Sequence, residues 1–553
     1  MGESKATERL DVVVIGGGLA GLAAGLALRD AERSFVVLEA SDALGGRTLT
    51  VHDQATGYLD FGAQFLGTAQ NFVQHLVRRF MIPTFETYLP RDKSWVYEDP
   101  TGGVTLFKGD DPLLLPGGNA TLQALAILDS LSLRVRLNVD RLENLPADLA
   151  ALDQITAEDW IRQTLPQLAV ASALDVDTTV DVFRASVRAL FSVEPHQLSM
   201  LFLLYYAATA GGYANLVDTT GGRASAQGMR FTYGSVDLVE HLLARINEGD
   251  TPNTPADRVK LGARVRRVTS APDGVTVETD DRVFTAQRAI VTMSPVACRA
   301  PGGPAFDFRF DHADASDGAV WWSDRQELCK AAVMGRTIKG FATFSNPFWR
   351  AKTLMGRALS ALRPAAERDP GDLHRAPLDW VIDSSWEPPA LPVPLQRPLP
   401  RNPYSLMTFM VGDVATYWSR HALIDRQQAV LAHLAVLFGP EVHDTFLGYT
   451  DHDFAATSPD LIGGCPTAVL GPGVLTKYGA ALRRPIGRVH WAGTETATEW
   501  CGYMDGALQS GMRAVNEVLA SLPPASSSLR QSPPRSPPGS PPGSPASPPP
   551  AGA

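Results

Sequence analysis

An α/β fold in two domains, one of them Rossmann-like and the other α+β, is what this sequence predicts, and three observations predict it. The β-branched run Val12–Ile15 enters Gly16-Gly17-Gly18-Leu19-Ala20-Gly21, an apolar helix continues through Leu28, and a second strand, Phe35–Leu38, ends in Glu39. Near the other end, Val489–Ala492 reads as a short buried strand before the turn Gly493-Thr494-Glu495-Thr496. The helix after it carries Met504, Leu508, Gly511, Val515 and Val518 on one face. Length is the third observation: 553 residues exceed what one hydrophobic core usually supports.

The first stretch carries chemistry. Its GxGxxG, made by Gly16, Gly18 and Gly21, sits between a strand and a helix. Such glycines permit a tight turn and bring a pyrophosphate close to the helix start, while Glu39 is placed to accept from a ribose hydroxyl. The motif predicts a dinucleotide and does not choose between NAD and FAD. In the last stretch, Gly502 and Gly506 leave the helix start bare for a planar ligand. Free N–H groups there favour an anion, or a ring that gains negative charge on reduction. Upstream, Gly463-Gly464-Cys465 presents a thiol on a glycine-flanked turn.

Composition narrows the class. With 44% hydrophobic and 20% charged residues the chain is globular, and a net charge of −10 argues against nucleic acid as a partner. The basic run Arg264–Arg267 reads as a solvated strand edge. Cys298, Cys329, Cys465 and Cys501 form no CxxC pair, so neither a disulfide framework nor a metal is expected. The polar start MGESKATERL is no secretory signal, and Leu198–Ala214 reads as a buried helix, not a membrane span. A soluble, cytoplasmic protein without a transmembrane anchor is expected. GxSxG, HExxH and GxxxxGK[ST] are absent, which removes support for hydrolase, zincin and P-loop readings.

Between the two ends, Pro112–Gly118 reads as a loop, and Pro146–Gln163 and Asp177–Ala210 as helical. Arg258–Val268 and Val275–Thr279 read as a β pair, and Ala289–Thr292 as a buried strand. Lys339 stands on an otherwise apolar strand, where an unpartnered amine is costly to bury, so a functional role is expected. Pro370–Asn402 reads as a proline-rich loop insertion; Met407–Val411 and a helix around Ala429–Leu437 follow. The tail from Pro523 is low in complexity and reads as disordered or polyproline II, suited to an SH3- or WW-type partner.

The segments LIGGCPTAVLGPGVL and RVHWAGTETATEWCGYMDGALQSGMRAVNEVL resemble the flavin site of the flavin monoamine oxidase family. The likeness extends through Gly45-Gly46-Arg47, Asp60–Gln64, the Thr219-Thr220-Gly221-Gly222 to Phe231 stretch, and Met334–Lys339 with Asn346–Arg350. It covers nearly the whole chain up to Leu519.

The resemblance implies a two-domain flavoprotein of the p-hydroxybenzoate-hydroxylase type, with FAD as cofactor. The FAD-binding domain would comprise residues 1–84, 232–298 and 457–522, the substrate domain 85–231 and 299–456, and the tail 523–553. It further implies that Gly46 and Arg47 lie by the cofactor's charge, that the Val265 backbone meets adenine, and that Glu495 and the Met504 N–H belong to the flavin site. Cys465 would be thioether-linked to the flavin 8α carbon. Tyr503 would face the substrate amine, Lys339 would hold a water at flavin N5, Gln227 would line the substrate cavity, and Val217 would gate it.

The implied reaction is oxidative deamination. A neutral amine gives a hydride equivalent to N5, the imine hydrolyses to an aldehyde or ketone, and O₂ is reduced to H₂O₂. An apolar aromatic pocket favours the neutral amine by desolvation. Two residues depart from the family pattern. Pro466 stands where animal monoamine oxidases carry a second cage tyrosine, and Phe454 where a tryptophan is expected. Three other readings stand beside the oxidase. One is a flavin dehydrogenase or desaturase, and one an amino-acid oxidase using Arg230 for a carboxylate. The third is a non-catalytic FAD protein working through its tail. A homodimer is compatible with all of them.

Overall fold

The computed structural model describes residues 9–53, 56–90, 92–108, 116–168, 173–217, 225–248, 258–298, 307–310, 315–361, 376–387 and 404–523. Parallel pairing joins Val259–Lys260 to Phe35–Leu38, then to Arg9–Ile15, Val283–Val291 and Val489–Trp491. Gly274–Thr279, Val265–Ala271 and Asp307–Phe310 extend the same sheet. Strands buried on both faces need continuous apolar runs, and Val12, Val13, Val14, Val37, Ile290, Val291 and Val489 supply them. Four of these parallel strands end together, at Ile15, Leu38, Val291 and Trp491. That shared carboxyl edge is where open α/β sheets place their ligands.

Two helices cover one face of this sheet, Leu19–Asp30 from the first glycine turn and Met504–Ser521 from the chain's last third. Leu22, Leu26, Leu508, Val515 and Val518 share one core with Val12 and Val14. The helices touch through glycine: a Cβ on Gly511 would fall 2.2 Å from the Ala20 carbonyl oxygen.

A second sheet runs in the order Phe446–Asp453, Thr337–Phe344, Tyr404–Val411, Trp380–Asp383, Leu354–Ser360, Ser94–Glu98 and Val104–Lys108. Ile338, Ala342, Leu406 and Met410 pack one of its faces on the helix Leu423–Phe438, through Val430 and Leu434. The alternate residues of the same strands, Lys339 and Phe409 among them, face the other way. A helical layer of Gly118–Arg136, Ala173–Phe191 and Met200–Thr209 closes the remaining side. Met200–Thr209 is buried along its whole length, as a core helix should be. Among the described residues no helix is long and apolar enough to cross a membrane.

Several expectations need correction. Arg258–Val268 is two strands, because Gly262, at φ +64°, turns the chain between Val259–Lys260 and Val265–Ala271. Pro370–Asn402 is not loop throughout: Trp380–Asp383 is a central strand of the second sheet, masked in the sequence by proline-rich flanks. Pro146–Gln163 is split into Ala147–Ala151 and Ala157–Thr164 by the capping box of Thr156 and Asp159. Residues 112–115 of the expected loop, 218–224, 388–402 and the tail beyond Pro523 lie outside the described residues.

Gly511→Val is expected to cost roughly 1–3 kcal/mol, because the contact it violates is to backbone and no side chain can yield. A lower urea midpoint than wild type checks it.

Candidate active site

A cavity of about 550 Å³ opens at the carboxyl edge of the first sheet and runs to the free face of the second. Gly16, Gly18, Glu39, Gly46, Arg47 and Val265 line it at one end, and Lys339, Gln227, Cys465, Tyr503 and Met504 further along. Eleven of the fifteen residues given a site role from sequence therefore meet at one surface.

At the first end the backbone leaves room for a ligand. Gly16 has φ +107°, and a Cβ there would lie 2.4 Å from Thr292 Oγ1. Gly18 caps the following helix with no side-chain hydrogen bond, so the first-turn amides are open to an anion. Glu39 stays on the cavity wall and also braces the loop: Oε2 accepts from the Gly17 amide at 2.6 Å and Oε1 from the Ser41 amide at 2.8 Å.

Gly21 and Glu495 are not on the wall. Gly21 packs behind the turn, where a Cβ would sit 1.9 Å from the Gly16 carbonyl oxygen. Glu495 is buried behind Arg47, which donates from Nη1 to Oε1 at 2.6 Å and from Nη2 to Oε2 at 3.1 Å. Burial pushes the Glu495 carboxyl up, but the Arg47 guanidinium more than offsets this and holds it below the usual range. Arg47 Nη1 also donates to the Pro466 carbonyl at 2.9 Å, which ties the turn after the first glycines to the thiol turn. In that turn the Cys465 amide donates to the Gly335 carbonyl at 2.9 Å, and burial raises the thiol pKa.

On the second sheet, strand register sets Trp380, Phe409, Lys339 and His452 side by side across four strands, and all four line the cavity. Lys339 Nζ donates to the Gly62 carbonyl and to Gln64 Oε1, each at 3.0 Å. Burial pushes this amine down to about 7, against the pull of Asp60. His452, also pushed down by burial, contacts Thr457 Oγ1 through Nε2 at 3.1 Å. The Thr457 hydroxyl donates to the Asp453 carbonyl at 2.8 Å, so Nε2 is the donor in that contact and Nδ1 carries the lone pair.

Sequence reasoning missed His452 and Tyr206. Alternation along Phe446–Asp453 was the available signal for His452, but only register puts it beside Lys339. Tyr206 lies on the cavity wall with its ring centroid 5.9 Å from that of Tyr503, and Trp500 meets Tyr503 edge-on at 5.2 Å. Gln227 is buried on the wall. Val217 packs against the helical core and is not on the wall, and neither is Arg230. Arg230 donates from Nη1 to the carbonyls of Ser384 and Ser385 at 2.9 and 3.0 Å, so the carboxylate binder of the amino-acid oxidase reading is turned elsewhere.

A bare glycine turn with open amides, an acid at the next strand end and an aromatic chamber beyond suit a dinucleotide carrying a flat ring. Fold and site define an oxidoreductase of the two-domain flavoprotein class. The family model "Flavin containing amine oxidoreductase" matches residues 19–519, and the chain belongs to that family. It is 27% identical over 516 residues to amine oxidase [flavin-containing] B of Canis lupus familiaris, covering 93% of this chain and 87% of that one. To amine oxidase [flavin-containing] A of Bos taurus it is 28% identical over 520 residues, covering 94% and 86%. Among solved structures, cyclohexylamine oxidase from Brevibacterium oxydans IH-35A aligns with TM-score 0.74 and 26% identity over 93% of this chain and 99% of that one. A putrescine oxidase shares the fold, with TM-score 0.75 at 23% identity over 93% and 100%.

Glu495→Gln should cost about 3 kcal/mol, because it strips a mostly buried guanidinium of its counter-charge. The carboxyl sits below its unfolded value, so its contribution is full at neutral pH and is lost as pH falls through the folded value. Chemical denaturation of both proteins should therefore show a gap at pH 7 that closes well below about pH 4.

Proposed function

We propose that this FAD-dependent amine oxidase acts on a small amine with one nitrogen on an apolar body, held between Tyr503 and the row Trp380, Phe409 and Lys339. The observation that carries the reading is that one cavity contains both the open glycine turn and that row. When bound, FAD supplies the two-electron acceptor, and its reoxidation by O₂ gives H₂O₂. The family membership does not favour a dehydrogenase, desaturase or non-catalytic reading.

Each residue then has a task. Gly16, Gly18 and the amides after them hold the diphosphate, Glu39 the ribose, and the Val265 backbone the adenine. Gly46 lets the backbone approach, and Arg47, fixed by Glu495, balances charge. The Met504 amide serves the pyrimidine edge, and Cys465 is the attachment point for a thioether. Tyr503 and Gln227 orient the amine, and Lys339 holds a water.

The walls favour an uncharged nitrogen, because an apolar, aromatic enclosure disfavours ammonium. Among the described residues, the acids on the cavity wall are Glu39 and Asp42, beside the glycine turn, and Asp460, which faces Arg264 at 3.8 Å. None stands in the aromatic row to receive a second ammonium, which favours a monoamine over a diamine. The FAD unit would be drawn from residues 1–84, 232–298 and 457–522; the first sheet takes strands from all three segments, and one further strand, Asp307–Phe310, from beyond the second boundary, which favours extending that segment to include it. A cytoplasmic setting fits four cysteines that no disulfide joins.

Acid precipitation of the purified protein tests attachment. Yellow colour should stay with the wild-type pellet and pass to the supernatant in Cys465→Ala, whereas free flavin from wild type defeats the thioether. In a peroxide assay over an amine panel, apolar monoamines should be turned over and diamines of similar length should not. Lys339→Met should slow turnover by roughly 10²-fold, and an unchanged kcat would remove Lys339 from the machinery.

A further inference from the structure

Behind Lys339 lies a buried polar side chain to which the reading above gives no task. Lys339 Nζ has three directions besides its bond to Cε. Two are taken, by the Gly62 carbonyl and by Gln64 Oε1. Both partners are acceptors, so both meet an N–H. Gly62 is fixed, because its amide donates to the Leu49 carbonyl at 3.1 Å and a Cβ there would fall 2.1 Å from the Arg47 carbonyl oxygen. Gln64, only 2% exposed, is fixed from its far end: Nε2 donates to Ser384 Oγ at 2.9 Å. The Ser384 amide in turn donates to the Ser405 carbonyl at 2.9 Å. Donor and acceptor chemistry sets the amide's orientation, oxygen toward the lysine and nitrogen toward the hydroxyl. The third direction of Nζ is what Lys339 has left to offer, an N–H when protonated and a lone pair when neutral.

We propose that Gln64 is the positioning residue for Lys339: its side-chain oxygen aims the amine, and its lack of charge leaves that amine free to give up a proton. The inference rests on the role given to Lys339 above. Four other groups face the amine or flank it: Asp60 from Gly57–Asp60, Arg230 from Met229–Phe231, Cys465 from the thiol turn and His452 from the neighbouring strand. Burial pushes the amine down to about 7, Asp60 holds it up, and Arg230 adds to the fall; Cys465, neutral as a buried thiol or a thioether, adds no charge. An amide adds a hydrogen bond to this balance and no charge, so both forms of the amine are populated near neutrality. A carboxylate in the same place would keep the proton on.

Competitive acetylation by acetic anhydride, run on the FAD-loaded full chain across pH and read at Lys339 by peptide mass spectrometry, reports protonation without turnover. Gln64→Glu should raise the Lys339 midpoint by at least about one pH unit, a tenfold gain in proton affinity. Gln64→Leu should lower it, and Ser384→Ala, which frees only the far end of the amide, should lower it less. The pH limb of kcat should move in the same direction as the midpoint in each variant. Midpoints in both Gln64 variants equal to wild type overturn the proposal. If Gln64→Glu does not fold, Gln64→Leu and Ser384→Ala decide, and an unshifted midpoint in both overturns it. A Lys339→Met enzyme with full activity defeats the role of Lys339 instead, and leaves the labelling result standing on its own.

Discussion

One ion pair closes this molecule around its cavity. Arg47 follows the first glycine turn, and Glu495 follows the last parallel strand, 448 residues further along the chain. Their bidentate contact is largely withdrawn from water, where desolvation cancels much of the Coulomb attraction. Its value is therefore geometric. The same guanidinium reaches the Pro466 carbonyl, so the glycine turn, the thiol turn and the Thr494–Thr496 turn are held at fixed distances from one another. Parallel pairing of Arg9–Ile15, Val283–Val291 and Val489–Trp491 brings these pieces to one edge, and Arg47 sets how they face.

From that frame the chemistry of the walls follows. The face of the second sheet turned to the cavity carries aromatic rings with one amine and one imidazole among them. Lys339 Nζ lies 5.6 Å from the ring centroids of both Phe341 and Phe409, and His452 is flanked by Phe61 and Phe454. Rings of this kind tolerate a cation on their faces, yet burial works against charge on both side chains. An enclosure that weakens the charge on its own lysine and histidine also weakens it on a guest amine. The conditions that favour an unprotonated substrate are thus built into the sheet, without a dedicated base.

How far this site was legible in sequence depended on whether its parts were contiguous. The GxGxxG turn, Glu39 and the Met504–Ser521 helix stand on local pattern alone, because strand, turn and helix occur in immediate succession. The row Trp380, Phe409, Lys339 and His452 draws on four strands spread from residue 337 to residue 453, and a shift of one residue in any of them would turn its member to the opposite face. Register is a property of the folded sheet, so only Lys339, conspicuous as a charge on an apolar strand, stood out. Arg230 shows the converse. Its charge was visible, but the Ser384 and Ser385 carbonyls that draw it away from the cavity lie more than 150 residues downstream.

The departure at Pro466 has a structural counterpart. Its carbonyl is bound to Arg47 and it lines the cavity, but it brings no aromatic ring to the wall. The aromatic neighbour of Tyr503 comes instead from the buried helix Met200–Thr209. Tyr206 sets its ring 5.9 Å from that of Tyr503 and is itself braced by Phe191 at 4.6 Å. This approach depends on Gly502, where a Cβ would lie 2.5 Å from the Tyr206 ring. The two rings are inclined at 40°, and Pro466 lines the same cavity. A guest held as proposed above would meet the aromatic ring of Tyr503 and, at Pro466, no second aromatic face. Discrimination among amines must then come from the shape of the chamber beyond, where Trp380 and Phe409 stand, more than from a clamp on the nitrogen.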